Sequence, residues 1–259
     1  MKIRRVLAIP DPQAPFHDAV SMSILEEYMA DHRWDEAIYL GDFLDYFCIS
    51  KYNEGKPGTI EGRTILKELQ QGERLLQRHV DILRRGNKAC KIIYLQGNHE
   101  QRAYDWVSRY PHLKGLIEPE NVLKFDEKDI QYVKCWADGD IYNIGKAYFT
   151  HGNYTNTHHA KKMVEAYEEN IFYGHTHDCN SFNKTAKGTG KTKVGQSLGT
   201  LCAYPKDVDY MKGRPSNWQQ AFGVFYFLPN GQFHYYVVRI FNDSFVSPEG
   251  KFYTFHGKK

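Results

Sequence analysis

Among the 12 histidines, the 31 carboxylates and the amides of this chain, nine residues are spaced as if to bind a divalent cation or move a proton. They fall into five short clusters: Asp11 with Gln13, Asp42 with Asp45, Asn98 with His99, His151 alone, and His175 with His177. A donor set mixing carboxylate with imidazole suits Mn, Fe, Zn, Co or Ni, whereas Mg and Ca prefer oxygen alone. The inventory is large enough for two ions. A single histidine is ordinarily a satisfied core or surface residue, so the weight lies on the joint pattern.

That pattern is one of position. Short apolar runs feed directly into the clusters: Arg5 to Ile9 before Asp11, Ala37 to Leu40 before Gly41-Asp42, and Lys91 to Leu95 before Gly97-Asn98-His99. Two more runs follow, Ala147 to Thr150 before His151 and Ile171 to Tyr173 before Gly174-His175. Each run reads as a buried strand ending in a loop. Helical patterns lie between them, over about residues 19 to 31, through Ile65, Leu69, Leu76, Val80 and Leu83, and across Ala160 to Glu169. The alternation is a βαβαβ signal, and ligands of such sheets bind outside the carboxyl ends of the strands. Five polar clusters at strand ends can therefore converge. Beyond about residue 193 the pattern turns β-rich, with Phe222 to Leu228 and Phe233 to Ile240 flanking Pro229-Asn230-Gly231, a hairpin expectation.

In chain order the clusters read PDPQ, GDFLD, GNHE, THG and GHTH. These blocks resemble those of the calcineurin-like metallophosphoesterases, D-x-H, G-D-x-x-D, G-N-H-E/D, H-G and G-H-x-H, from Asp11 to His177. The resemblance implies a four-layer αββα sandwich of two mixed sheets flanked by helices, formed as a single domain over residues 1–259. The β-rich part from about 193 is expected to complete the second sheet. It also implies hydrolysis of a phosphodiester or small phosphomonoester by in-line attack of a metal-bound hydroxide at a binuclear centre. Mn is the first expectation for the metal, with Fe, Zn, Ni or Co as alternatives. Asp11 and His177, with Gln13, would bind one ion, Asp42 would bridge, and Asn98, His151 and His175 would bind the other. Asn98 would also meet the substrate. His99 would act as the proton donor, oriented by Asp45, because a positioned imidazole can protonate a leaving oxygen.

The departures from those blocks carry information. Gln13 stands where the family has histidine, and an amide oxygen is a neutral, harder and weaker ligand than imidazole. His17, four residues on, is a candidate substrate contact from the same loop. The Ser/Thr protein phosphatases carry arginine directly after G-D-x-x-D and directly before G-N-H-E. This chain has Tyr46 and Gln96. That argues against a protein phosphatase, since bidentate guanidinium groups grip phosphoryl oxygens; Arg102, just past GNHE, is a candidate substitute cation. A non-catalytic scaffold on the same fold is the remaining alternative, encouraged by Gln13 alone.

Further features are subordinate. His158-His159 at a helix start could meet an anionic substrate, and Gly188 to Thr192 lacks the leading glycine of a phosphate-binding loop. The aromatic and basic stretch Tyr210 to Trp218 could stack bases and hold phosphates, and resembles metallophosphoesterases of bacteriophages. A nucleotide or nucleic acid is thus the expected kind of substrate partner. Composition excludes other classes: 41% hydrophobic and 25% charged residues suit a globular chain, and a net charge of +3 announces no nucleic-acid binder by itself. No apolar run reaches membrane length, so no membrane partner is expected. Five dispersed cysteines without a CxxC pair favour reduced thiols and a cytoplasmic setting.

Overall fold

The computed structural model describes residues 3–203 and 216–257. The first half alternates strand and helix: β1 (Arg4–Ile9), α1 (Ala19–Asp31), β2 (Glu36–Tyr39), α2 (Ile65–Gly86), β3 (Lys91–Leu95), α3 (Asn98–Arg109), the short α4 (Pro119–Val122), β4 (Ile130–Val133) and the short α5 (Cys135–Asp138). The second half runs β5 (Tyr142–Ile144), β6 (Ala147–Phe149), α6 (His159–Tyr167), β7 (Asn170–Tyr173), β8 (Ser181–Thr185), β9 (Thr192–Ser197), β10 (Ala221–Phe227), β11 (Phe233–Arg239), β12 (Ser244–Val246) and β13 (Phe252–Thr254).

The strands form two mixed sheets and a small ribbon. The first sheet has the order β11-β10-β1-β2-β3-β4, and the second β5-β6-β7-β9-β8; β12 and β13 pair alone. β1 to β4 are mutually parallel, and β10 and β11 are each antiparallel to their neighbour. In the second sheet β6, β7 and β9 are parallel, with antiparallel strands at both edges.

Side-chain alternation along each strand creates the layers. From β1, Leu7 and Ile9 pack with Leu25, Tyr28, Leu76 and Leu83 of α1 and α2, while Val6 and Ala8 face the second sheet. β3 repeats the division, Ile92 and Tyr94 to the helices and Ile93 and Leu95 inward. In β7, Phe172 faces inward, whereas Ile171 and Tyr173 meet Met163 of α6. The result is the expected four-layer sandwich of helices, sheet, sheet and helix. Phe172 and Phe225 meet edge to face between the sheets, with centroids 4.8 Å apart; truncating either to alanine would cost about 3–5 kcal/mol.

The helices begin where local chemistry satisfies their first amides. Asp18 Oδ1 accepts the Ser21 N–H at 2.7 Å, and Thr64 Oγ1 accepts that of Lys67 at 3.3 Å. Glu68 in the first turn of α2 and Arg84 and Arg85 in its last turn complement the helix dipole.

One expectation about the β-rich end is overturned. Among the described residues from 193 on, only β9 joins the second sheet; the hairpin β10-β11 instead extends the first, with β10 antiparallel to β1 from Arg4↔Phe227 to Ala8↔Gly223. The reason is burial. Every residue of β10 but Tyr226 is buried, so β10 belongs beside a central strand covered on both faces, which β1 provides. Among the described residues no helix is long and apolar enough to cross a membrane.

Candidate metal centre

The loops after β1, β2, β3, β6 and β7 carry the five clusters to one edge of the sandwich. Contacts between clusters show the convergence: Gln13 N donates to the Asp42 carbonyl at 2.8 Å, His99 N to Asp42 Oδ1 at 2.8 Å, and His175 N to Asp11 Oδ2 at 2.5 Å. His151 Nδ1 donates to the Leu40 carbonyl at 2.8 Å.

Five of the seven candidate ligands sit in left-handed backbone: Asp11 at φ 40°, Gln13 at 50°, Asp42 at 46°, His175 at 65° and His177 at 61°. Such conformations cost of order 1–3 kcal/mol each in non-glycine residues and persist where the surroundings enforce them, typically at functional sites. The block glycines are equally constrained. A Cβ on Gly97 would fall on Asp42 Oδ1, one on Gly174 on Asp11 Oδ1, and one on Gly41 within 2.6 Å of His151 Nδ1. Glycine precedes the ligands because the backbone passes against them.

One half of the cluster gathers around His151. With Nδ1 committed to Leu40, Nε2 points at Asn98 Oδ1, 2.9 Å away, and at Asp42 Oδ2, 3.4 Å away. Ligand atoms of Asp42, His151 and His175 all lie within 4.8 Å of one another. Two donors about 2.1 Å from a shared cation, at octahedral to tetrahedral angles, stand about 3.0–3.4 Å apart. Asp42 Oδ2 and His151 Nε2, 3.4 Å apart, fit a divalent ion on that measure. The fields agree: burial works against a charge on His151, yet Asp42 and then Asp11 carry it up to about 9. Burial also opposes ionisation of Asp42, but the imidazoles of His151 and His99 outweigh it and hold the carboxyl well below the usual range. Positive charge is in demand here.

The other half gathers around Asp11, which is fully buried. Its Oδ2 lies 3.3 Å from His177 Nε2, and its Oδ1 has no hydrogen-bond partner. Burial, reinforced by Asp42, raises its carboxyl well above the ordinary range despite His151. An orphaned buried carboxylate oxygen is costly and is the atom a cation would satisfy. Burial, with their neighbouring histidines, lowers both His175 and His177 to about 3, so both present neutral rings with available lone pairs. Gln13 Nε2 is 3.3 Å from His177 Nε2, so its amide lies beside this half of the cluster.

His99 stands beside the cluster rather than in it. Its Nδ1 is 3.3 Å from Asp45 Oδ2, and its Nε2 is 3.6 Å from Asp42 Oδ2 and 3.0 Å from Arg102 Nη2. Arg102 also donates from Nη1 to the Asp45 carbonyl at 2.7 Å. The structure thus joins Asp45, His99 and Arg102. His17 is not joined to them: its side chain is half-buried, its Nδ1 has no hydrogen-bond partner, and His79 and Arg78 of α2 are the foremost charges acting on it. His159 is turned inward, 2.7 Å from the Tyr173 hydroxyl and 3.1 Å from Asp178 Oδ2, so it is not a surface anion contact. In the stretch Tyr210 to Trp218, residues 210–215 lie outside the described residues. Tyr46 and Gln96, at the two arginine positions of the protein phosphatases, serve the fold. The Tyr46 hydroxyl donates to the Ile117 carbonyl at 2.7 Å, and Gln96 Oε1 accepts the Ala137 N–H at 3.0 Å.

Three residues gain a place at the cluster only from the structure. Glu100, within GNHE, accepts the N–H groups of Asp42, Phe43, Leu44 and Gly97 and the hydroxyl of Tyr94, at 2.7–3.1 Å. Trp136 lies 5.3 Å from the His175 ring and 5.8 Å from that of His151, and Trp218 lies 4.2 Å from that of His177. The glutamate was visible as a block letter and Trp218 as the end of the aromatic and basic stretch, but Trp136 sits at no telling spacing.

No family model matches the chain. It is similar to the Gene 54 proteins of Mycobacterium phages L5 and D29, each 25% identical over 235 residues, covering 85% of this chain and 88% of the relative. Their phage origin agrees with the phage resemblance noted for the chain. Among solved structures, Vps29 from Chaetomium thermophilum aligns with a TM-score of 0.45 and 10% identity, covering 96% of this chain and 92% of that one. The nuclease MPE of Pseudomonas putida aligns with a TM-score of 0.37 and 14% identity, covering 90% and 85%. Likeness at these levels carries no argument about chemistry.

Proposed function

We propose that this chain is a metal-dependent phosphoesterase of the calcineurin-like kind, hydrolysing phosphate esters at a centre for two divalent cations. The observation that carries the reading is the convergence of Asp11, Asp42, His151, His175 and His177 at one sandwich edge, with a buried carboxylate oxygen of Asp11 unpartnered. Asp11, Gln13 and His177 would hold one ion, Asn98, His151 and His175 the other, and Asp42 would bridge. When bound, the ions would polarise the phosphate oxygens and make a water nucleophilic at neutral pH.

The remaining roles fall to the chain's own groups. The Leu40 carbonyl fixes which ring nitrogen of His151 faces the cluster. Asp45 Oδ2, 3.3 Å from His99 Nδ1, is close enough to orient the ring once a hydrogen bond forms, and a protonated Nε2 would then serve the leaving oxygen of the ester in place of its contact with Arg102. Arg102, donating toward that same Nε2, is close enough to exchange this contact for a phosphoryl oxygen. A protein phosphatase is the less favoured enzyme, because Tyr46 and Gln96 are engaged in the fold where that group grips phosphate.

The test is hydrolysis of bis-p-nitrophenyl phosphate and p-nitrophenyl phosphate by chelator-treated protein titrated with Mn, Ni, Zn, Co and Mg. Metal-dependent cleavage abolished by His99→Ala supports the enzyme, and the ratio of the two rates selects diester or monoester. A folded protein inactive with every metal would favour the scaffold.

A further inference from the structure

A groove of about 330 Å³ opens from the cluster and follows one face of α3. Asn98, Arg102, Trp106 and Arg109 line it at spacings of four, four and three residues, a single helical stripe about 16 Å long at 1.5 Å per residue. Asn98, at the near end, is also the residue 2.9 Å from His151 Nε2. Lys51 and Tyr52, from the short turn Lys51–Asn53, form the opposite wall, and Trp136 closes the cluster end beside His175. The lining alternates cations with flat aromatic faces. Tyr52 is 50% exposed, and Trp106 and Trp136 are only partly covered.

We propose that the groove holds a single-stranded nucleic acid, its scissile phosphate at the cluster and its neighbouring bases stacked on Trp136, Trp106 and Tyr52. The proposal rests on the phosphoesterase reading and names its substrate class. Phosphates and bases are what such a lining recognises: cations track the backbone, and aromatic rings stack any base. The charges are partly answered within the protein. Arg109 pairs with Glu54 at 2.6 Å, Arg102 with Asp45, and Asp105 also lines the groove. Stacking therefore carries most of the affinity, and the salt dependence is shallow. A mononucleotide would cover only the cluster end, whereas the length of the stripe suits several nucleotides.

The test uses full-length protein in chelator, so that binding is read without turnover. Fluorescein-labelled oligothymidylates of one to six residues are titrated by fluorescence anisotropy. Affinity should rise with length over the first few residues and then level off. Trp106→Ala should weaken the longer oligomers about tenfold, and the more exposed Tyr52→Ala and Arg109→Ala should each weaken them severalfold. In parallel, with metal restored, the p-nitrophenyl ester of thymidine 5′-phosphate should exceed bis-p-nitrophenyl phosphate in kcat/KM, and the excess should shrink in Trp106→Ala.

Affinity that stops rising at one residue would assign the groove to a mononucleotide and overturn the polymer. Absent binding and no thymidine preference, in protein that cleaves bis-p-nitrophenyl phosphate, would overturn the substrate class while leaving the phosphoesterase reading intact. Oligomer binding in protein inactive with every metal would do the reverse.

Discussion

The carboxylate of Glu100 accepts the backbone N–H of Asp42 at 2.9 Å, tying the candidate bridging residue to the helix that carries His99. Asp42 answers through Oδ1, which accepts the N–H of His99 at 2.8 Å. The loop after β2 and the start of α3 are thus one unit, held by a fully buried charge with five donors.

Glu100→Gln leaves the shape but turns an amide N–H toward donors. The expected result is a loss of about 2–3 kcal/mol in chemical denaturation, since a buried network with an unmet donor is costly. Metal affinity should weaken as Asp42 loosens. Unchanged unfolding and metal titration would mean the clamp does not shape the loop.

His99 and Asp42 separate chemistry from metal binding. His99→Ala should keep near-normal metal content by elemental analysis and lower turnover about 10²–10⁴-fold. Asp42→Asn should lose metal and activity together. Full activity in His99→Ala would remove this residue from the reaction.

Gln13 makes a third case. Gln13→His replaces an amide with an imidazole 3.3 Å from His177, and should tighten the weaker of two steps in a metal titration about tenfold. A superimposable titration would mean that position 13 holds no metal.

Glu68 predicts a pH dependence of stability. Burial first, and then Asp45, raise its carboxyl from 4.5 to about 7. A raised folded-state value means that stability is fully present below about pH 4.5, declines as the unfolded chain ionises first, and is lost as pH rises through 7. Glu68→Gln should therefore raise Tm by several degrees at pH 8 and leave it nearly unchanged at pH 4.5. An equal shift at both values would point to packing instead.

Much of this was legible in the chain. β1, β2 and β3 announce themselves as apolar runs ending at Asp11, Asp42 and Asn98, and the parallel order follows from the helices between them. Asp11, Asp42, His151, His175 and His177 come together because each stands at such an end. What was illegible depends on contacts distant in sequence. The C-terminal hairpin reads as a hairpin, but nothing local says that β10 lies beside β1. His159 reads as an exposed helix start, and only the fold reveals Tyr173 and Asp178 on either side of its ring. Trp136 has ordinary neighbours in sequence and Trp218 ends an aromatic and basic stretch, but the place of either against the histidines appears only in three dimensions.

The pairing of β10 with β1 also bears on how the molecule is made. Arg4 lies opposite Phe227, so the strand that delivers Asp11 stays an open edge until more than two hundred further residues have left the ribosome. Closing so large a loop is slow, and an unpaired edge invites wrong partners in the interval. A chain released before β10 would present the complete series of motif blocks and yet leave Asp11 on an unsupported strand. The candidate metal centre would then be completed late and all at once, only after β10 had been made.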